Sequence, residues 1–270
     1  MNKPMTLQEI RWDGMTITIE LVTPEIAAAW LAKNKTNRRL RNSAVSAYAR
    51  AMANGDWRPK PMAICFTADG YLGNGQHTLS AIIESGTSQV FMIARDVPIE
   101  SVAAMDAGIR RTYNDIAHFI GAKFTSRLGA IAKVIVLGPQ AADVLLFDEI
   151  FSMYQSHKDV IDWVCSLPHS GEHRIGNSAA VTGVMARAAY TQDRERIAEF
   201  YAVLKTGIGD GARDSAATRL RDFLRTHNSS SWAGRIEHYQ RTEYALDLFL
   251  RYQPMSKLYG TDKELFPIPA

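Results

Sequence analysis

This 270-residue chain reads as short alternating elements up to about Asp96 and as helix after helix beyond about Pro98, a change that restricts the fold to two unlike parts. Met15 to Val22 (Met-Thr-Ile-Thr-Ile-Glu-Leu-Val) alternates every second residue, as a half-buried strand does. Thr23 and Pro24 then read as the N-cap and first-turn proline of a short helix through Ile26, Ala27, Trp30 and Leu31. Ser43 as cap, Val45, Tyr48, Ala49 and Met52 at helical spacing, and Gly55 as terminator predict a second helix whose apolar stripe faces a sheet. Met62 to Phe66 reads as an apolar strand, Ala68-Asp69-Gly70 as a turn and Tyr71-Leu72 as the return strand of a hairpin. After Gly73-Asn74-Gly75 a third helix begins near Gln76 or His77 and buries Leu79, Ile82 and Ile83 before Gly86, and Gln89 to Ala94 is the closing strand.

Beyond Pro98 the pattern is helical, with helices expected near 99 to 106, 112 to 121, 125 to 137, 145 to 166, 178 to 191, 193 to 206, 213 to 226 and 235 to 252. The fold class is therefore α+β: a small mixed sheet with helices over residues 1–97, an all-α domain over 98–253, and an irregular C-terminal tail over 254–270 on which Leu265-Phe266 is a docking candidate. Two domains suit the length, at roughly 150 residues each. Hydrophobic residues at 46% and charged residues at 22% are ordinary for a globular protein and exclude a largely disordered or collagenous chain. No stretch reaches the roughly 18 uninterrupted apolar residues of a membrane span, and Met1 to Asp13 lacks the apolar core of a signal peptide. Cys65 and Cys165, a hundred residues apart in apolar surroundings, read as small buried thiols, and the expected setting is cytoplasmic and reduced.

The sharpest local feature is the polar run Gly73-Asn74-Gly75-Gln76-His77-Thr78 at the start of the third helix. Glycines permit positive φ and close backbone approach, and the amides of a helix N-terminus attract anions such as phosphate. Only His77 in the run titrates near neutral pH. A helix cap with a satisfied histidine is the plain alternative. Just upstream, Lys33, Lys35, Arg38, Arg39, Arg41, Arg50, Arg58 and Lys60 face the single acid Asp56, so eight bases against one acid give this segment +7, while the whole chain carries only +3. Arginine forks suit phosphates, so the cluster favours a nucleotide or nucleic acid; a solvated basic face is the alternative.

The order of these elements resembles the ParB/sulfiredoxin superfamily, in particular the ParB-like proteins common in phages and mobile elements. The likeness rests on Asn37-Arg38, the helix Val45 to Met52, Gly55-Asp56-Trp57, the hairpin Met62 to Leu72, Asn74-Gly75-Gln76-His77, Ala81-Ile82 with Glu84-Ser85-Gly86, and the closing strand, over about residues 15 to 96. Met105-Asp106-Ala107-Gly108-Ile109-Arg110-Arg111-Thr112 also looks like the Asp-x-Gly-x-x-Arg linker of those phage relatives. The superfamily includes CTP-binding partition clamps, ATP-using sulfiredoxins, a free-serine kinase and proteins described as nucleases, so fold does not fix reaction. A sulfiredoxin reading is weak because no cysteine sits in the box.

The resemblance implies that Gly75, Gln76, His77 and Thr78, with Asn37 and Arg38, hold the phosphates of a nucleoside triphosphate, CTP or ATP, with Mg²⁺ where phosphoryl chemistry occurs; Gly73, Asn74 and Arg39 beside them are further candidate phosphate contacts. The family box commonly ends in arginine, and here that position is Thr78. Arg110 and Arg111 are candidates for the missing charge, and His77 and Asp106 for catalytic roles. Arg41, Arg50, Arg58 and Lys60 are candidate DNA contacts; a nucleotide and DNA are the expected partners, with a homodimer as one option for the helical part. The alternatives are a DNA-binding regulator or partition-like clamp without catalysis, a small-molecule or DNA-base kinase with a base among Glu20, Asp69 and Asp106, and a metal-dependent nuclease.

Other features read as structure. His169 and His173, at i and i+4 with Glu172 between them, lie amid Pro168, Ser170 and Gly171, which argue for a loop, and no third ligand is obvious, so no metal site is expected. Gly207 to Gly211 lacks the flanking strand and Lys-Ser/Thr of a phosphate loop. Arg213, Arg219, Arg221, Arg225, Arg235, Arg241 and Arg251 read as a solvated, salt-bridged face. Trp30 and Trp57 read as core or seam residues, and Phe147, Phe151 and Tyr154 as a core stripe.

Overall fold

A computed structural model of the chain describes residues 6–35, 37, 39–58, 62–105, 113–119, 121–140, 144–168, 175–227 and 229–269. The chain divides into two compact units, Met1–Arg110 with Val144–Leu146, and Arg111–Asp143 with Phe147–Ala270. The protein is mixed α+β, with one five-stranded sheet followed by helices.

In the first unit the elements run β1 (Thr6–Trp12), β2 (Met15–Val22), α1 (Pro24–Leu31), α2 (Asn42–Ala53), β3 (Ile64–Thr67), β4 (Leu72–Asn74), α3 (Gln76–Ser85), β5 (Gln89–Val97) and α4 (Ile99–Met105). The sheet order is β1-β2-β5-β3-β4, with β3 and β5 parallel and the other neighbours antiparallel. Val22, Phe91 and Ile93 on one sheet face pack with Ile26, Trp30, Val45, Met52, Leu79 and Ile82 from α1, α2 and α3. On the other face Cys65, Ala94 and Val97 gather Met15, Ile17 and Val102. Val102 thereby fastens α4 to the sheet, and this unit extends past the change of pattern near residue 97.

Local signals account for several element ends. Thr23 caps α1 by accepting the Ile26 N–H, with Pro24 in the first turn. At α2 the helix starts at Asn42, one residue before the expected cap Ser43, and its N-cap position is Arg41. The strand β1 was not expected. It pairs with β2 through a tight turn at Asp13 and Gly14, both at positive φ, a turn chemistry that Asp-Gly supplies. Its exposed Glu9 and Arg11 are the charges with which edge strands resist pairing to other chains, and they obscure the alternation.

The regular elements among the described residues of the second unit are all helical: α5 (Tyr113–Phe119), α6 (Ser126–Leu137), a short 3₁₀ turn (Gly138–Gln140), α7 (Phe147–Ser156), α8 (Lys158–Ser166), α9 (Ala179–Ala188), α10 (Arg194–Thr206), α11 (Ser215–Thr226) and α12 (Trp232–Leu250). The single helix expected over 145 to 166 is two, broken at His157, whose backbone leaves the helical region and whose ring packs edge-on against Tyr190. Phe147, Phe151 and Tyr154 do form a core stripe, gathered around the buried ring of Phe124. The tail is irregular yet anchored, with Met255 and Phe266 buried. Arg219 and Arg241, read from sequence as part of a solvated face, donate to the tail carbonyls of Met255 and Leu258. No helix among the described residues is long and apolar enough to cross a membrane.

Candidate functional site

The site begins with how α2 and α3 lie. Their starts meet where the Arg41 N–H donates to His77 Nε2 at 3.1 Å, and their ends meet where the Ser85 hydroxyl reaches Met52 Sδ at 3.9 Å. The two helices are therefore parallel, and both N-terminal dipole ends, each equivalent to about +0.5 charge, emerge at the same edge of the unit. Neither start is closed by a side-chain cap, in contrast to α1 with Thr23. The positive end of a helix dipole attracts anions.

Gly75 occupies the N-cap of α3 at φ 109°, a conformation that side-chain-bearing residues rarely adopt. A Cβ there would stand 2.9 Å from Ile64 Cγ2, and one on Gly73 would stand 3.0 Å from Val102 Cγ2. Gly75 is thus required by its φ and by packing beneath the loop, and Gly73 is closely packed there, whatever binds above it.

The polar side chains of the loop form a frame. Gln76, only 6% exposed, accepts from Asn34 Nδ2 through its Oε1 at 3.1 Å; Asn34 Oδ1 accepts from Asn37 Nδ2 at 2.8 Å; and Asn37 Nδ2 donates again to the Leu72 carbonyl at 2.7 Å. The Leu72 N–H donates to the Lys33 carbonyl at 3.1 Å, so the segment after α1 is strapped along the edge strand β4. Asn74 Oδ1 accepts the Gly75 N–H at 2.8 Å. His77 joins the two helix starts, and with Nε2 accepting, its proton sits on Nδ1. The expected phosphate contacts Asn37, Asn74, Gln76 and His77 thus hold the protein's own backbone and side chains in place. Asn34 was missed from the sequence; its partner Gln76 lies 42 positions away and no local pattern links them.

Around this frame the strap carries exposed Lys33, Lys35, Arg39 and Arg41. Lys35 Nζ lies 3.7 Å from the Tyr71 ring centroid, and Lys33 Nζ 5.4 Å from that of Phe66, so both ammonium groups have ring faces beside them. Thr78, in the first turn of α3, is half-buried. Arg58 is exposed, whereas Arg50 is half-buried and donates to the Val144 carbonyl at 3.1 Å. Arg38, Lys60, Asp106, Arg110 and Arg111 lie outside the described residues, as do His169, Glu172 and His173.

The two described candidate carboxylates, Glu20 and Asp69, are disposed unfavourably for base catalysis at the loop. Glu20, 2% exposed, receives both Nη atoms of Arg95 at 2.6 and 3.0 Å, plus the Thr18 hydroxyl. Asp69 is exposed in the hairpin turn, at the opposite end of the β3–β4 pair from Gly75. Burial raises the Cys65 thiol above its ordinary value, which makes it a poor nucleophile. No group of three or more His, Cys, Asp or Glu side chains able to hold a metal ion occurs among the described residues. Comparison with protein-family models, curated proteins and solved structures finds no match to the chain.

Proposed function

We propose that the sheet unit is a ParB/sulfiredoxin-like domain that binds a nucleoside triphosphate, CTP or ATP, by its phosphates, in a protein acting on or near DNA. The observation that carries the reading is the convergence of two parallel helix starts, neither closed by a side-chain cap, beside a strap bearing Arg39 and Arg41. Two dipole ends and exposed guanidinium groups make an anion site whose geometry needs no side chain from the loop itself. The residues fit a triphosphate in this respect. Thr78 cannot supply the bidentate clamp of the family's arginine, and Arg39 and Arg41 are the described residues that replace its charge.

The frame favours binding over catalysis. His77 Nε2 already accepts an amide proton, Glu20 is paired with Arg95, and Asp69 is at the far end of the hairpin. A magnesium ion, where one accompanies the nucleotide, would be held mainly by the phosphates, as this cation commonly is. A nucleotide-responsive DNA-associated protein is therefore preferred over a kinase or nuclease.

The test is a calorimetric titration of ATP, CTP, GTP and TTP, with and without Mg²⁺ and duplex DNA, on wild type and on an Arg39→Ala, Arg41→Ala double variant. Wild type should bind at least one triphosphate. The variant, which leaves the frame side chains intact, should bind it about tenfold or more weakly, since each charge-assisted hydrogen bond contributes about 1.5–3 kcal/mol. Absence of binding by wild type under every condition, or equal binding by the variant, overturns the proposal.

A further inference from the structure

The helical unit holds a cleft of about 270 Å³ between the end of α6, α9, α12 and the returning tail. Its apolar wall is formed by Val136, Leu137, Pro139 and the ring of Tyr239, and its polar wall includes Glu243, Asp262 and Glu264. A second cavity of about 110 Å³, with Val134 and Trp232 in its walls, shares Gly138, Pro139 and Tyr239 with the first. The first approaches the lower end of the volumes typical of small-molecule sites, about 300 Å³, and combines an apolar wall with a few placed polar groups.

The charges at the polar end are unequally engaged. Arg187, 2% exposed, gives Nε to the Phe266 carbonyl at 3.0 Å, Nη1 to the Ile135 carbonyl at 2.6 Å and Nη2 to Glu264. Two of these bonds hold the tail and one ties Arg187 to α6. Glu243, 1% exposed, accepts from the Tyr239 hydroxyl at 3.2 Å and the Leu265 N–H at 3.3 Å, both neutral, and the nearby Arg187 charge also favours its ionised form. Asp262 likewise accepts from the neutral amide of Gln240 at 2.7 Å. Three carboxylates thus line the cleft against two cations, one of them the committed Arg187 and the other the exposed Lys263.

We propose that this cleft binds an organic cation with an apolar body, its ammonium or guanidinium placed at Glu243 and Asp262 and its body lying along Pro139 and Tyr239 toward Trp232. Glu243 and Tyr239 are one helical turn apart on α12, and Trp232 lies two turns before Tyr239, so the binding direction runs along that helix. Burial, the largest influence on Glu243, pushes its carboxyl above the usual range, and a bound cation would favour the ionised form. The proposal is independent of nucleotide binding in the sheet unit.

The probes are 4-phenylbutylamine, its neutral counterpart 4-phenylbutanol and the anion 5-phenylvalerate, titrated calorimetrically into the full chain. The amine should bind best and the anion worst. Glu243→Gln keeps an oxygen to accept from Tyr239 and Leu265, and should lower amine affinity about tenfold, as expected from losing an interaction of about 1.4 kcal/mol with a charged group, while leaving the alcohol unchanged. Should that variant fail to fold, Asp262→Asn, at an exposed position, is read instead: a reduced preference for amine over alcohol supports the proposal, and an unchanged preference overturns it. No amine binding by wild type, a preference for the anion, or undiminished amine affinity in folded Glu243→Gln also overturns it.

Discussion

Replacing Asn37 with alanine removes two hydrogen bonds from one amide group, to Asn34 Oδ1 at 2.8 Å and to the Leu72 carbonyl at 2.7 Å. Each such bond contributes about 0.5–1.5 kcal/mol net, so the strap should lose about 1–3 kcal/mol of attachment to β4. Ties that remain include the Leu72 N–H to the Lys33 carbonyl at 3.1 Å and Asn34 to Gln76 at 3.1 Å. The Leu72 amide proton is therefore a reporter of strap opening. With each 1.36 kcal/mol worth a factor of ten, its hydrogen-exchange protection should fall about 5- to 150-fold. The Ala189 amide of the helical unit, bonded to Met185 at 3.0 Å, should not change and serves as the control for global unfolding. Exchange followed by NMR in the full chain measures both. An unchanged Leu72 amide, or an equal loss at Ala189, refutes the view that Asn37 positions the strap. If Asn37→Ala weakens nucleotide binding without loosening Leu72, the residue touches the ligand and is not a positioning residue.

Two further outcomes test the framework. Glu20→Ala should destabilise the sheet unit by about 3 kcal/mol, the low end for breaking a buried pair because Arg95 is one-third exposed and can turn to water, whereas Glu20→Leu with Arg95→Met should recover most of that in urea denaturation; equal loss in both would show that the pair itself is not the cause. His238 is held below the ordinary imidazole range chiefly by burial. Below about pH 6.5 the unfolded chain takes up a proton that folded His238 refuses, so stability should fall with decreasing pH at up to about 1.4 kcal/mol per unit until the native group titrates. An NMR titration in which the His238 ring protonates no later than in the urea-unfolded chain would contradict this.

Legibility followed the range of the interactions. The passage from β2 through Thr23 and Pro24 into α1, and the start of α3 at Gln76, follow from neighbours within a turn and were readable from the residues. The break at His157 was not, because the apolar pattern continues across it while the contact with Tyr190 comes from 33 residues away. Arg219 and Arg241 looked solvated because nothing near them in sequence announces that the tail returns to accept their protons. The same holds at the candidate site: the glycines and basic residues were visible, but the work of Asn34, Asn37 and Gln76 was not.

The sequence by itself determined that a small strand-containing part precedes a helical one, that a glycine-flanked polar loop opens a helix, and that positive charge gathers just before it. These properties rest on periodicity, turn chemistry and charge, which act between near neighbours. Only the tertiary structure decided that α2 runs parallel to α3, so that two helix starts share one edge, and that the loop's side chains are turned inward to hold that edge together. Those outcomes depend on which distant backbone groups need partners once the sheet and helices have packed, and no local pattern encodes that need.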